Sequence, residues 1–238
     1  MVLSPAGVDW QVQERSYMFS TKTDSEGEFE LKHVRQGMYS LYAYGTNILN
    51  EYVKKDIIVN STGLVDLGVQ VWEPTANHSL LWQLGQADRR TSGFKLSDKN
   101  RQYGLFDLVP AQLSFTIGKS KEAEDWYYAQ TKRGTWSIEF DHEKKHTGNA
   151  VLTFGIAGAA RWPKVQVLVN NKIIGVLDDL GNDASVYRSA MSGGFYQQRS
   201  LSFPADLLKQ GKNIVSLDLI KVNPKGGVMY DAIKLEAD

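Results

Sequence analysis

Cysteine is absent from this chain of 238 residues, and so is any excess of charge, because 27 Lys and Arg residues balance 27 Asp and Glu residues. The lack of cysteine excludes disulfide frameworks, cysteine zinc sites and cysteine nucleophiles. A net charge of zero argues against nucleic-acid binding, which usually needs a basic excess. The longest uncharged apolar stretch, residues 150–160, is far shorter than the ~20 residues of a membrane-spanning helix. Residues 1–10 show no signal-peptide pattern.

Apolar residues alternate with polar ones along much of the chain, which is the pattern of half-buried β-strands. The alternation is clearest over residues 29–31, 136–140, 165–169 and 215–219. Clusters of Gly, Asn and Ser between these runs indicate turns. A short helix is predicted only over residues 204–211, where Pro204 suits a first helical position and Gly211 suits the position after the end. The chain is therefore predicted to be all-β.

A domain boundary is predicted around Trp72 and Pro74. Residues 65–71 have the pattern of a last strand, and Pro74 cannot donate a hydrogen bond to a following strand. We therefore expect a small β-sandwich over residues 1–72 and a larger β-sandwich over residues 73–238.

Two histidines four residues apart, His142 and His146, would lie on one face of a helix and could bind a metal ion there. Their segment lies between two strand patterns and ends at Gly148, which favours a solvated hairpin loop instead. We therefore assign no metal ligand to this pair.

The loop 178–183 is rich in side-chain oxygens, which come from Asp178, Asp179, Asn182 and Asp183. Calcium takes oxygen ligands of this kind, but Asp and Asn also favour loops for backbone reasons alone. Asp231 is a second isolated carboxylate, for which a cap or turn partner is the alternative. We expect no cofactor, and a structural calcium ion stays an open alternative.

Aromatic residues make up 11% of the chain, and several stand beside cations or polar groups in segments that resemble loops. Sugars stack their C–H faces on flat rings, and the arginine fork matches the carboxylate of an acidic sugar. We therefore predict sugar contacts at Arg161, Trp162, Tyr187, Arg188 and Tyr196. The alternative is that such rings fill the sandwich cores. In the run 126–128, at least one ring of three must face away from the core.

Several stretches, taken in order, resemble the rhamnogalacturonan lyases of polysaccharide lyase family four. Residues 17–29 and 34–44 resemble the fibronectin-type-III-like middle domain, and residues 81–94 resemble the entry into the third domain. A broken series over 101–105, 125–130 and 135–140, then residues 226–236, resembles the rest of that third domain, a jelly-roll carbohydrate-binding-like domain. The resemblance covers nearly the whole chain.

The resemblance also implies what this chain does not contain. In that family a catalytic β-sandwich comes first, and the pattern found here starts just before Tyr17, inside the second domain. The small domain is thus expected to be truncated at its N-terminus, and the family's catalytic lysine and histidine to lie in the absent region. Their chemistry is β-elimination, in which a base removes the proton beside a uronate carboxylate. The common nucleophile and phosphate-loop motifs are absent as well, so we assign no catalytic residue.

The leading hypothesis is a non-catalytic module pair that binds or positions pectic rhamnogalacturonan for a catalytic lyase domain. Two alternatives stay open: scaffold domains without glycan affinity, and a standalone polysaccharide lyase. The expected partners are the polysaccharide and the catalytic domain, with neither nucleic acid nor a membrane among them. The resemblance alone implies secretion, because the substrate is the plant cell wall.

Overall fold

The computed structural model describes residues 1–7, 18–46, 48–60, 63–73 and 78–238. Contacts divide the chain into two compact units, Met1–Thr75 and Ala76–Asp238. Regular structure is almost entirely β, which confirms the predicted fold class. Tyr17 and Pro74, on which the expected truncation and domain boundary depended, lie outside the described residues. Among the helices of the described ranges, none has the length and apolar character needed to cross a membrane.

The described residues of the smaller unit form one antiparallel sheet in the order β2-β1-β3-β4. Its strands are β1 (Val2–Pro5), β2 (Phe19–Ser20), β3 (Gly37–Ala43) and β4 (Tyr52–Val59). The sequence analysis assigned no strand to residues 1–16, yet β1 lies between β2 and β3, with Leu3 opposite Leu41. Both side chains are buried in a small core that also contains Tyr39, Ile57 and Val59.

Two of the predicted alternations in the smaller unit face its core without forming strands. Phe29 and Leu31 pack against the core, as do Val65 and Leu67. Within the described residues, however, 28–32 and 63–73 form no strand. A period of two places side chains on opposite sides of any extended segment, whereas a strand also needs a hydrogen-bonded neighbour.

Over its described residues, 78–238, the larger unit contains nine strands in two sheets that pack face to face. The strands are β5 (Ser79–Gly85), β6 (Leu113–Thr116), β7 (Gly134–His142), β8 (Asn149–Ala160), β9 (Lys164–Val169), β10 (Lys172–Leu177), β11 (Gln197–Pro204), β12 (Gly211–Lys221) and β13 (Gly227–Ala237). One sheet has the order β10-β9-β12-β7-β6 and the other the order β11-β8-β13-β5. Two single-turn helices, α1 (Glu122–Asp125) and α2 (Ser185–Arg188), and two 3-10 turns, Leu105–Asp107 and Ala205–Leu207, lie in the connections.

The core between these sheets follows from the predicted alternation. The inward positions of β7, β9 and β12 are buried in it, namely Trp136, Ile138, Phe140, Val165, Val167, Val169, Val215, Leu217 and Leu219. The rings of Trp126 and Trp136 pack edge to face with their centroids 4.9 Å apart. Trp126 and Tyr128 are buried, while Tyr127 between them is half-buried beneath the Lys95 ammonium. The half-buried ring of Tyr127 still packs against the core, with its centroid 6.5 Å from that of Trp136, so no ring of this run turns fully away from the core.

The helix predicted over residues 204–211 is instead a strand end, one 3-10 turn and a strand start. Pro204 ends β11, and Gly211 begins β12. The Asn213 side chain accepts a hydrogen bond from the Lys209 amide at 2.7 Å and donates one to the Lys209 carbonyl at 2.8 Å. These two contacts hold residues 209–213 in a turn, so the chain reverses before a second helical turn can form.

Several connections of the larger unit lie together at one end of the sandwich. In the pairing register, Gly227 lies opposite Ala160, so β8 ends where β13 begins, and β5 ends at Gly85, opposite Ala232 in the middle of β13. The other sheet places the start of β9 beside the ends of β10 and β12. We call this the loop end, and it comprises residues 126–133, 161–163, 178–196 and 222–226.

Candidate functional site

All five predicted sugar-contact residues lie in the loop end. Arg161 and Trp162 connect β8 to β9, Tyr187 and Arg188 lie in α2, and Tyr196 directly precedes β11. The fold thus brings together residues from three segments of the chain.

The ring of Tyr187 lies near two arginines. The guanidinium carbons of Arg161 and Arg188 are each 5.9 Å from its centroid, within the range of cation–π attraction. Tyr187 is half-buried and packs against the sandwich core, whereas both arginines are exposed. Two guanidinium groups are therefore held beside one ring and stay open to an anionic ligand.

Trp162 is displayed at the surface by a tight reversal between β8 and β9. Its side chain is 58% exposed, and both Arg161 and Trp162 have left-handed backbone angles, with φ of 63° and 53°. The Arg161 amide donates to the Asn182 side chain at 2.6 Å, and its carbonyl accepts from the Asn223 side chain at 2.9 Å. Two asparagines thus fix the backbone that presents this indole.

Tyr196 belongs to a second pair. The guanidinium carbon of Arg89 lies 4.5 Å from its ring centroid. Arg89 is far from Tyr196 in the sequence, and its own neighbours gave no sign of an aromatic partner. The sequence analysis therefore identified the ring and missed the cation.

The oxygen-rich loop 178–183 uses its side chains to hold the chain itself. Asp183 accepts from the Ser185 amide at 2.7 Å through Oδ1 and from the Phe195 amide at 2.9 Å through Oδ2. Asp178 forms an ion pair with Lys164 at 3.3 Å. Across the part of the chain that the structure describes, His, Cys, Asp and Glu side chains form no group of three or more that could hold a metal ion. The backbone role of this loop is therefore the one with structural support.

His142 and His146 meet, but without a helix. His142 ends β7, and His146 lies in the connection to β8, with the two rings stacked at a centroid distance of 4.5 Å. Burial lowers the pKa of His142, and the nearby charges of His146 and Lys144 lower it further. This pair lies at the end of the sandwich opposite the loop end.

Asp231 acts as a turn partner. Its carboxylate is buried, and Oδ1 accepts from the Asp88 amide at 2.9 Å. Burial raises the pKa of Asp231 to about 6. Backbone hydrogen bonds from residues 88–90 lower it, but burial has the larger effect. The side chain ties the segment after β5 to β13.

An open cleft of about 480 Å³ adjoins Arg161 through the lining residue Asn223, and it was not predicted from the sequence. It is lined by Phe106, Asp107, Thr131, Lys132, Arg133, Val222, Asn223, Pro224 and Lys225. The sequence signals that could have found it were the basic pair before Gly134 and the turn around Pro224. These two segments lie side by side because β7 and β12 are neighbours in one sheet.

The chain matches two models of one protein family. The family model described as polysaccharide lyase family 4, domain III, CBM-like, matches residues 80–235. The model for domain II of the same family, fibronectin-like, matches residues 1–67. The chain therefore belongs to polysaccharide lyase family 4 and comprises these two domains, as the motif order indicated.

Curated relatives carry lyase names. The rhamnogalacturonate lyase of Dickeya dadantii is 37% identical over 248 residues, in a match that covers 99% of this chain and 41% of that protein. The probable rhamnogalacturonate lyase B of Aspergillus fumigatus is 26% identical over 291 residues, covering 97% of this chain and 44% of that protein. The chain thus spans about two-fifths of the length of these relatives.

Among solved structures, a family 35 carbohydrate binding module from Clostridium thermocellum matches with a TM-score of 0.31. The sequence identity is 19%, and the match covers 43% of this chain and 70% of that one.

Proposed function

We propose that the loop end binds rhamnogalacturonan, the acidic rhamnose-containing polysaccharide of pectin, and holds it for β-elimination by a lyase catalytic domain. The observation that carries the proposal is that Arg161 and Arg188 both lie 5.9 Å from the ring of Tyr187, and that the exposed Trp162 follows Arg161 in the chain. The lyase names of the relatives support the choice of polysaccharide. Action on plant cell walls requires that the protein work outside the cell.

The chemistry of the site suits an acidic sugar. An exposed indole offers a flat apolar face to the C–H bonds of a pyranose, and guanidinium groups bind a carboxylate by paired hydrogen bonds. Such surface contacts bury little area, so the affinity of a single site is expected to be modest. We assign these residues to binding and positioning, and proton abstraction to groups outside this set.

Calorimetric titration of the full chain with rhamnogalacturonan fragments tests the proposal. Trp162→Ala and Arg161→Ala are expected to weaken binding by about 1–2 kcal/mol each, the usual cost of truncating an interface anchor. Ile173→Ala is the matched control, because Ile173 is 60% exposed and lies in the hairpin at the opposite end of the sandwich. Absence of binding, or equal losses in all three variants, would contradict the proposal.

The alternative that this chain is itself a lyase is tested with the same protein and polysaccharide. Incubation of the full chain with rhamnogalacturonan is expected to produce no ultraviolet absorbance from unsaturated sugar ends. A rise in absorbance that scales with protein concentration would favour the standalone enzyme over the binding module.

Docking to a catalytic domain is a second candidate role, favoured by an apolar pair on the smaller unit. Met38 lies directly opposite Ile58 across β3 and β4, and the two side chains are 53% and 59% exposed. The occupant would be the part of the lyase that this chain does not match. Sedimentation of the chain with that part of the Dickeya lyase tests this role: we expect a complex that Met38→Ser with Ile58→Ser abolishes, and the absence of any complex contradicts it.

A further inference from the structure

We propose that the open cleft beside Arg161 is a separate subsite that recognises the carboxylate of a uronate residue and seats the neighbouring deoxysugar. This inference rests on the proposed function and extends it to residues outside the group formed by Arg161, Trp162, Tyr187 and Arg188, which we call the cation–ring cluster. One wall of the cleft is residues 131–133, and the other is residues 222–225.

The first wall is fixed by its attachment to β13. Gln130 and Val228 exchange two backbone hydrogen bonds, of 2.8 and 3.0 Å. The buried Gln130 side chain donates to the Leu217 carbonyl at 3.0 Å and accepts from the Tyr230 hydroxyl at 2.9 Å. Residues 131–133 therefore follow directly after a residue whose backbone and side chain are both hydrogen-bonded. Binding a ligand should consequently cost little conformational entropy in this wall.

The second wall is a turn that is joined to the cation–ring cluster. The Gly226 amide donates to the Asn223 carbonyl at 2.9 Å, which closes the turn. The Asn223 side chain then donates to the Arg161 carbonyl at 2.9 Å. A sugar chain that contacts Arg161 therefore lies within reach of the cleft.

The charges of the cleft favour an anion. Three cations line it, Lys132, Arg133 and Lys225, against one carboxylate, Asp107. The Lys132 ammonium donates to the Asp107 carbonyl at 2.8 Å. Arg133 and Lys225 are exposed and, within the described ranges of the chain, have neither an ion pair nor a side-chain hydrogen bond. These two cations on opposite walls can therefore bind one carboxylate between them.

Three further lining residues are apolar, which favours a sugar acid over a simple ion. Phe106, Val222 and Pro224 contribute carbon surface to the same cleft as the two cations. A uronate presents one carboxylate on a ring with an apolar C–H face, and an adjacent deoxysugar adds a methyl group. An alternating acidic and deoxy polysaccharide satisfies both parts of the lining, whereas a phosphate backbone offers no apolar complement.

The experiment compares two ligands on variants of the full chain. The ligands are a rhamnogalacturonan fragment and the same fragment with its carboxyl groups reduced to alcohols. Combined Arg133→Gln and Lys225→Gln substitutions are expected to weaken binding of the acidic fragment about tenfold or more, as for loss of charge-assisted hydrogen bonds. Binding of the reduced fragment is expected to be equally weak in the wild type and in the double variant. Arg133→Lys, made in place of Arg133→Gln, retains the positive charge. It is expected to keep part of the affinity that Arg133→Gln loses.

Lys172→Gln is the matched control, because Lys172 is an exposed cation in the hairpin at the opposite end of the sandwich. If the double variant binds the acidic fragment as the wild type does while Trp162→Ala weakens it, the subsite is wrong and the proposed function stands. If the wild type binds neither fragment, both fail. The subsite would also be wrong if Lys172→Gln lost as much affinity for the acidic fragment as the double variant does. It would likewise be wrong if the wild type bound a DNA oligonucleotide of matched charge more tightly than the acidic fragment.

Discussion

The side-chain amide of Asn223 donates a hydrogen bond to the main-chain carbonyl of Arg161 at 2.9 Å. This contact joins the turn between β12 and β13 to the reversal between β8 and β9. The cleft and the cation–ring cluster therefore share one backbone support. A change at Asn223 is expected to disturb both, although its side chain need not touch a ligand.

Replacing Asn223 with alanine tests this shared support. The lost hydrogen bond is expected to cost roughly 0.5–1.5 kcal/mol at most, because the contact is solvent-exposed. Affinity for rhamnogalacturonan is expected to fall several-fold, since Arg161 and Lys225 lose their common anchor. Calorimetry gives the affinity and a thermal scan gives the stability, with the exposed Gln198→Ala as control. Unchanged affinity in Asn223→Ala would show that the cleft and the cation–ring cluster are positioned independently.

The parts of this fold that the sequence predicted are those that depend on local pattern. The alternation at 136–140, 165–169 and 215–219 predicted three strands, because side-chain direction in a strand depends only on position parity. The predicted ring and cation residues came together because all of them follow or precede strands that end on the same side.

What could not be predicted depends on pairing between distant segments. The cleft exists because β7 and β12 are neighbours in a register that places Gly134 opposite Leu219. Arg89 reaches Tyr196 only through the packing of the loops. Neither relationship leaves a period or a motif in one sequence. Conversely, the alternation at residues 29–31 was read as a strand, although no neighbouring strand pairs with it in the described residues.

Asp231 is expected to make stability fall as the pH rises. Burial raises its pKa in the folded chain to about 6 from 3.8, so the folded state binds a proton more readily than the unfolded state does. The stabilisation is present below about pH 4 and is lost as the pH rises through 6. A pKa difference of this size between the folded and unfolded chain corresponds to about 3 kcal/mol of stability. Denaturant unfolding of wild type and Asp231→Asn from pH 4 to 7 measures the effect, and a gap between the two that is constant with pH would contradict this assignment.

His142 is expected to make stability fall as the pH falls, which is the opposite of the effect of Asp231. Its pKa in the folded chain lies below the ordinary value of 6.5, chiefly because of burial, so the unfolded state binds the proton more readily. Its contribution to stability is present above about pH 6.5 and is lost as the pH falls. Thermal scans from pH 7.5 to 5 should show a smaller decline in His142→Gln than in the wild type. Lys144→Gln is expected to give an intermediate decline, because the Lys144 charge also lowers this pKa; equal declines in all three would refute the assignment.

Gly227 is expected to tolerate no side chain, because the backbone of Gln130 lies too close to it. Its φ is +148°, and a Cβ atom there would lie 2.4 Å from the Gln130 carbonyl oxygen. Gly227→Ala must therefore open the backbone bridge between Gln130 and Val228, at a cost of about 1–3 kcal/mol in stability.

Gly211→Ala separates that clash from backbone strain alone. Gly211 also has a positive φ, of +89°, but a Cβ atom there meets nothing within 4 Å. Gly211→Ala is thus expected to lose some stability and to keep its affinity for rhamnogalacturonan. Gly227→Ala is expected to lose more stability and also to bind more weakly, because residues 131–133 move away from the opposite wall. If the two variants unfold at the same denaturant concentration and bind equally well, the bridge does not hold the cleft in place.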